Sequence, residues 1–460
     1  MSLSQNTKGI CTIISVILNG LLIGNLFTFS NLSVYNENYL RNHGNPNLKK
    51  DDITFLTPIG LFIFNSFPIF VGIIEQYLNC RIIILIGILC LLISNLLMVF
   101  TTDFYLIIIS MIFYGLVCAF NCFTVLRNCW EYYPNKKGLL SGINTACNSI
   151  STFIFTSIGD YIINSDGKGK PDDPNIYNRY PIFLKLLLVC TIVLGSLAVI
   201  LCFPYEKEED EKKESLNNNI ISENDSLEEK NKIPEENKTE KENNIDVEIK
   251  ITQILFSFQL FLMCVVGAFV QFFNFFMSNT YRKFGSENGK NEKYLQVLSK
   301  HFMGINIISR PLWGIIYDKL SFFFPYIILC INEVVCSGLY YVSVKKDLSF
   351  FLINCFGVLS FSGHFVLFTP LVAKKFGIKY SQIVFGIIGT FNGITALLGP
   401  TILKIVDYNY KIIYYIGCGL AFISLILVCF IKDEKMKISE IPEKYETIDN
   451  EEYIENQNSN

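Results

Sequence analysis

Trp313-Gly314-Ile315-Ile316-Tyr317-Asp318 ends the eighth apolar run of this chain, and Val71-Gly72-Ile73-Ile74-Glu75 ends the second. In each, a glycine on the last turn is followed by a carboxylate where the apolar run stops. One six-run unit used twice places these two texts at matching positions, and that reading decides the fold. The runs are about twenty residues long, the length a helix needs to cross about 30 Å of hydrocarbon. Spans are expected near 10–33, 53–74, 82–100, 104–126, 139–163, 181–203, 251–277, 294–317, 322–343, 348–370, 382–406 and 410–431. The expected fold class is therefore an all-α membrane protein, with twelve transmembrane helices in two six-helix bundles. Residues 1–203 and 251–431 would form the bundles, 204–250 a linker and 432–460 a tail.

Composition agrees. Apolar side chains make up 51% and charged ones 17%, with positive mean hydropathy, so water is not the main solvent. The net charge of −3 says little, because the acidic excess sits in 206–250 and 433–460, and no basic face points to nucleic acid. Cysteines fall mostly inside apolar runs (Cys11, Cys90, Cys118, Cys190, Cys264, Cys429) without metal-ligand spacing, so they read as small packing residues. No metal or cofactor is expected. The first span lacks a following cleavage site of small residues and reads as a retained anchor. Between Tyr205 and Lys250 the chain turns to Glu, Lys, Asn and Ser, with too little apolar surface to offset the entropy of ordering, and disorder is expected there. Lys49, Lys50, Arg282 and Lys283 fall in short loops on the side opposite the linker, so charge asymmetry votes weakly on orientation. An even span count puts both ends and the linker on one side, expected to be cytoplasmic, in the plasma membrane or an organelle membrane.

Charges at depth are informative, because lipid satisfies no polar group. Arg310-Pro311 lies about 12 Å before the Asp318 end at about 1.5 Å per residue, close to the bilayer middle. A central arginine costs about 2.5–3.5 kcal/mol and is retained where it faces a cavity or a partner. Pro311 removes a backbone donor and permits a bend beside the guanidinium. The planar fork of donors suits a carboxylate. Two readings stand: an anion-binding point, or a structural ion pair with Glu333 in the next span. Glu333 is either a proton carrier or a neutral, hydrogen-bonded packing residue. His364, within Ser362-Gly363-His364-Phe365, is a coupling or substrate group or a satisfied packing histidine. Asn392 sits among Gly386, Gly389 and Gly393, which read as close helix packing, with approach to solute as the other reading. Asn25, Asn121, Asn148 and Asn306 need partners, and the sequence does not sort interhelical bonds from path lining. At the membrane edges Glu75 and Arg81, Arg127 and Glu131, and Asp318 and Lys319 are either solvated ends or charged latches broken as the halves rock.

Longer text adds a resemblance. Glu131-Tyr132-Tyr133-Pro134-Asn135-Lys136-Lys137-Gly138-Leu139-Leu140-Ser141-Gly142 resembles the opening of the fifth span in the oxalate/formate antiporter-like branch of the major facilitator superfamily. Ser309-Arg310-Pro311-Leu312-Trp313-Gly314, with Asp318 after it, is similar to that branch's eighth span, whose Arg-Pro the monocarboxylate transporters share. Gly363 to Leu371 and Phe385 to Pro400 resemble its tenth and eleventh spans. The resemblance implies that Arg310 contacts a substrate carboxylate. The position of a second cation in the eleventh span matches Asn392, so it also implies one fixed positive charge and a monocarboxylate or zwitterion as cargo. Asn306 stands where the monocarboxylate transporters have an aspartate. Glu75 replaces an aspartate of the first-half charge motif, and the loop after Asp318-Lys319 lacks its usual Gly-Arg-Arg.

The expected function is transport of a small organic anion, a monocarboxylate, by alternating access. Arg310 would hold it with help from Asn392, His364 and Asn306, with Glu333 and His364 as coupling candidates for a co-transported proton. The chain is expected to work as a monomer. Transport of amino acids or drug-like compounds, or solute sensing by a non-transporting receptor, are the alternatives. No nucleophile elbow or metal-spaced cluster supports an enzyme.

Overall fold

The computed structural model describes residues 4–46, 48, 53, 56–164, 172–205 and 251–436. Among these every regular element is a helix. Twelve long segments run back and forth: α1 (Gln5–Phe29), α2 (Leu56–Ile74), α3 (Cys80–Phe100), α4 (Phe104–Tyr132), α5 (Lys137–Ile163), α6 (Tyr180–Leu201), α7 (Phe258–Glu287), α8 (Glu292–Leu320), α9 (Phe323–Ser343), α10 (Asp347–Phe376), α11 (Ser381–Ile405) and α12 (Tyr410–Leu427). Ten of the described helical stretches are long and apolar enough to cross a membrane; α5 and α8 equal them in length but are more polar. Part of that polarity, the α5 stripe and Asn306 and Arg310 of α8, belongs to the site described below. Of the expected linker and tail, only 204, 205 and 432–436 lie within the described residues.

Local chemistry sets several helix ends away from the hydropathy boundaries. Ser4 starts α1, its Oγ accepting from the Thr7 amide at 3.3 Å. Asp103 caps α4 at its expected start, through bonds from the amides of Tyr105 and Leu106, while the far end runs on to Tyr132. The expected run from 251 is split: a short helix Ile251–Leu255 stops, and Ser257 caps a new start by accepting from the Leu260 amide at 3.2 Å. Several helices run past the hydrocarbon, since 30 residues of α10 span about 45 Å.

Packing divides these helices into two bundles. In the first, α1 lies against α4, α5 and α6, and α3 against α4 and α6; in the second, α7 lies against α10, α11 and α12, and α9 against α10 and α12. Buried polar side chains tie helices together where lipid offers no partner. Asn121 donates to Asn19 at 2.9 Å, Asn95 to Thr191 at 2.8 Å, and Tyr114 to the Leu22 carbonyl at 3.1 Å. The bundles meet mainly where α5 crosses α8 and α2 crosses α11.

Both crossings seal one face, the face where the linker leaves the first bundle and re-enters the second. There α5 and α8 touch backbone to backbone. A Cβ on Gly142 would stand 2.6 Å from the Arg310 carbonyl oxygen, and one on Gly138 2.5 Å from that of Gly314. At the other crossing, a Cβ on Gly386 would stand 2.5 Å from the Ile69 nitrogen. Toward the opposite, far face the halves diverge, and cavities of about 170 and about 220 Å³ lie between them, sharing Leu61 and Asn279.

Candidate functional site

The deeper cavity is built from both halves. Its first-bundle wall combines apolar residues such as Phe27, Phe64 and Phe123 with a polar stripe on α5: Ser141, Asn144, Thr145, Asn148, Ser149 and Thr152. These recur every three or four residues and so share one helix face. That stripe is why α5 is less apolar than its neighbours. The second bundle contributes Arg310 and Asn306 from α8 and a phenylalanine wall from α7 and α10. Phe275, Phe361 and Phe365 in that wall have ring centroids 5.7–6.2 Å apart. Below them Phe123 of α4 meets Phe385 of α11 at 4.0 Å across the bundle boundary.

Arg310 is 8% exposed. Its Nε donates to Asn306 Oδ1 at 2.9 Å, one turn earlier on the same helix, and its Nη1 donates across the boundary to the carbonyl oxygen of Thr145. Neither partner carries charge, and no carboxylate within the described residues pairs with the guanidinium. Glu333 does not: it points into the second bundle, where its Oε2 accepts from Asn274 at 3.1 Å. The ion-pair reading of Arg310 thus fails on geometry.

The other expected ligands separate. Asn306 lies on the cavity and orients the arginine. His364 instead packs inside the second bundle, 1% exposed, with a nitrogen 2.7 Å from the Tyr326 hydroxyl and the Phe368 ring tilted beside it at 4.8 Å. Asn392, 2% exposed, faces the α7 backbone: a Cβ on Gly267 would stand 3.2 Å from its Oδ1. Neither His364 nor Asn392 lines the cavity. Their helices are apolar on nearly every face, so the sequence carries no phase from which to read which way they turn. The α5 stripe went unread except at Asn148, although its spacing of three and four was visible.

The edge charges pair otherwise than their order in the chain suggests. Glu75 joins Arg127 at 2.7 Å rather than Arg81. One residue beyond α2, its carboxyl is pushed above the usual range by burial, with Arg127 pulling it back. Arg81 donates to the Cys202 carbonyl at 2.5 Å and lies over the Phe203 ring, which holds the end of α6. Asp318 crosses the boundary: Oδ1 and Oδ2 accept from the backbone amides of Gly138 and Leu139, each at 2.8 Å. It caps the first turn of α5, where orphan amides and the helix dipole favour a carboxylate. Lys319 is exposed beside it, and Glu131 borders a separate cavity at the linker face together with Glu75 and Arg127.

Comparison with known proteins agrees with this architecture. The family profile described as Major Facilitator Superfamily matches residues 12–400. Among solved structures, the chain is similar to the proton:xylose symporter XylE bound to 6-bromo-6-deoxy-D-glucose, at TM-score 0.65 and 13% identity over 94% of this chain and 98% of that one. A double-tryptophan XylE mutant gives TM-score 0.69 and 14% identity over 93% and 98%. At such identity the likeness concerns the fold. A search of curated proteins gives no match.

Proposed function

Because this chain belongs to the major facilitator superfamily, and so carries small solutes across a membrane by alternating access, we propose that its cargo is a small organic anion, a monocarboxylate, held by Arg310. The observation that carries this reading is a buried guanidinium on a cavity with only neutral partners, Asn306 and Thr145. Its remaining donors and its charge are available to a guest, and a carboxylate in two-point contact supplies both. One fixed cation suits one negative charge, because Asn392 stands where the oxalate/formate antiporter-like branch that the sequence resembles has its second cation. The phenylalanine wall opposite the polar stripe favours a carboxylate with an apolar or aromatic body. Drug-like acids, the second reading, share those features.

Binding between the halves gives the solute contacts to both, so closure of the far face around it completes the site while the linker face is still sealed. Release then requires the α5–α8 and α2–α11 crossings to part. Asp318 is the latch we assign to the first of these. Uptake of a radiolabelled monocarboxylate panel into proteoliposomes tests the reading. Arg310→Ala is expected to abolish saturable flux with normal insertion, and Arg310→Lys to leave weak flux, because lysine keeps the charge without the fork. Undiminished anion flux in Arg310→Ala would remove the proposal.

A further inference from the structure

The second bundle encloses polar side chains that the solute cavity does not use. Glu333 on α9 is 0% exposed, as are Asn274 on α7 and Gln271 one turn before it. Asn274 aims its amide at Glu333, donating Nδ2 to Oε2 at 3.1 Å. Four polar atoms of these three side chains have no partner: Glu333 Oε1, Asn274 Oδ1, and Oε1 and Nε2 of Gln271. One such buried orphan costs about 1–3 kcal/mol, and native interiors hold few of them. Four on side chains of α7 and α9, two of which bond one another, beside a carboxyl that no cation pairs with among the described residues, mark a place that can hold something that is not protein.

The donor set says what. Three of the four orphans are oxygens, which are hard ligands suited to a proton or an alkali cation and not to a soft metal. One carboxylate balances one positive charge, and the same carboxylate repels an anion. No Lys or Arg pairs with Glu333 among the described residues. Tyr326, Cys330 and Cys336 of α9 lie near it and Asn274 of α7 bonds it, while Ser360 of α10 and Cys418 of α12 bond the Leu329 and Val334 carbonyls on its own helix, and His364 reaches only as far as the Tyr326 hydroxyl. Residues 271 and 274 lie one turn apart, with Cβ atoms about 5–6 Å from one another, within reach of one small ion.

We propose that Glu333, Asn274 and Gln271 form a site for one small monovalent cation, a proton or sodium, inside the second bundle and separate from the anion cavity. The site rests on reading the chain as a carrier, since a cation held in one half gives a cation gradient purchase on the rocking motion. Cation binding itself needs no cargo, so it is measured without any. Purified full-length protein is melted in sodium chloride against choline chloride at equal ionic strength, and across a pH series in choline alone.

Wild type is expected to melt about 5 °C higher at saturating sodium, or, for a proton, to show in choline a pH step that Glu333→Gln lacks. Glu333→Gln keeps the acceptor for Asn274 and so preserves the fold. Gln271→Leu removes the two amide orphans; as a ligand deletion it weakens the cation response at least about tenfold even while apolar filling raises the midpoint. Identical melts of wild type and Glu333→Gln in every salt and at every pH overturn the site. A full cation response in Gln271→Leu overturns it as drawn, and this variant stands in should Glu333→Gln not be recovered. Flat melts beside working anion flux sink the cation site alone, whereas a cargo that is not an anion leaves the melts unchanged.

Discussion

Asn306 sets the character of the guanidinium. Its neutral Oδ1 takes the Arg310 Nε proton at 2.9 Å and orients the fork without cancelling its charge. Asn306→Ala should leave the charge but loosen the fork, raising the apparent KM for an anion about tenfold, the effect of losing roughly one hydrogen bond to a charged group. Asn306→Asp should be worse. A carboxylate there is an intramolecular competitor for the guest, worth up to about 4 kcal/mol for charge centres about 4 Å apart at an effective dielectric near 20. Uptake kinetics on both variants order the two effects, and an Asp variant that binds its solute more tightly than Ala would mean that the cargo is not anionic. The presence of Arg310 at depth was legible because a buried charge stands out in apolar text. Its freedom from Glu333 was not, because which way a side chain turns within a bundle depends on helix rotation.

At the scale of helices, the twelve long segments were legible from run length, ten of them long and apolar enough to cross a membrane, with α5 and α8 more polar. What the runs leave open is the phase of helices that are apolar all round. Hence His364 and Asn392, expected at the solute, sit inside the second bundle, while the periodic α5 stripe forms the cavity wall. Charge pairing across turns was similarly hidden, since Glu75 finds Arg127 through the packing of α2 on α4 rather than through the nearby Arg81. The α5–α8 crossing carries a sharper consequence. A methyl group on Gly142 meets the Arg310 carbonyl at 2.6 Å, a contact that only backbone separation relieves. Gly142→Ala should therefore lower maximal flux at least about tenfold, through a gate that no longer seals. Unaltered flux in that variant would show that this crossing is not part of the gate.

For the whole molecule, the internal repeat predicts equivalence and the structure departs from it. Glu75 and Asp318 occupy matching places at the ends of α2 and α8, yet Glu75 is paired within its own bundle and Asp318 reaches the other one. Only Asp318 can therefore register whether the halves are together at the linker face. Its carboxylate at the start of α5 contributes about 0.3–1 kcal/mol, given its exposure. Asp318→Asn should then move the balance between sealed and open linker face by up to about fivefold toward open. Glu75→Gln should instead leave that balance alone and lower the melting midpoint, because it strands Arg127. Spin labels at Tyr77 and Lys379, one exposed position in each half at that face, read the two populations as short and long distances. A longer-distance population that grows in Asp318→Asn and not in Glu75→Gln assigns the latch to one carboxylate of the pair; equal growth in both would restore the symmetry that the repeat implies and remove the assignment.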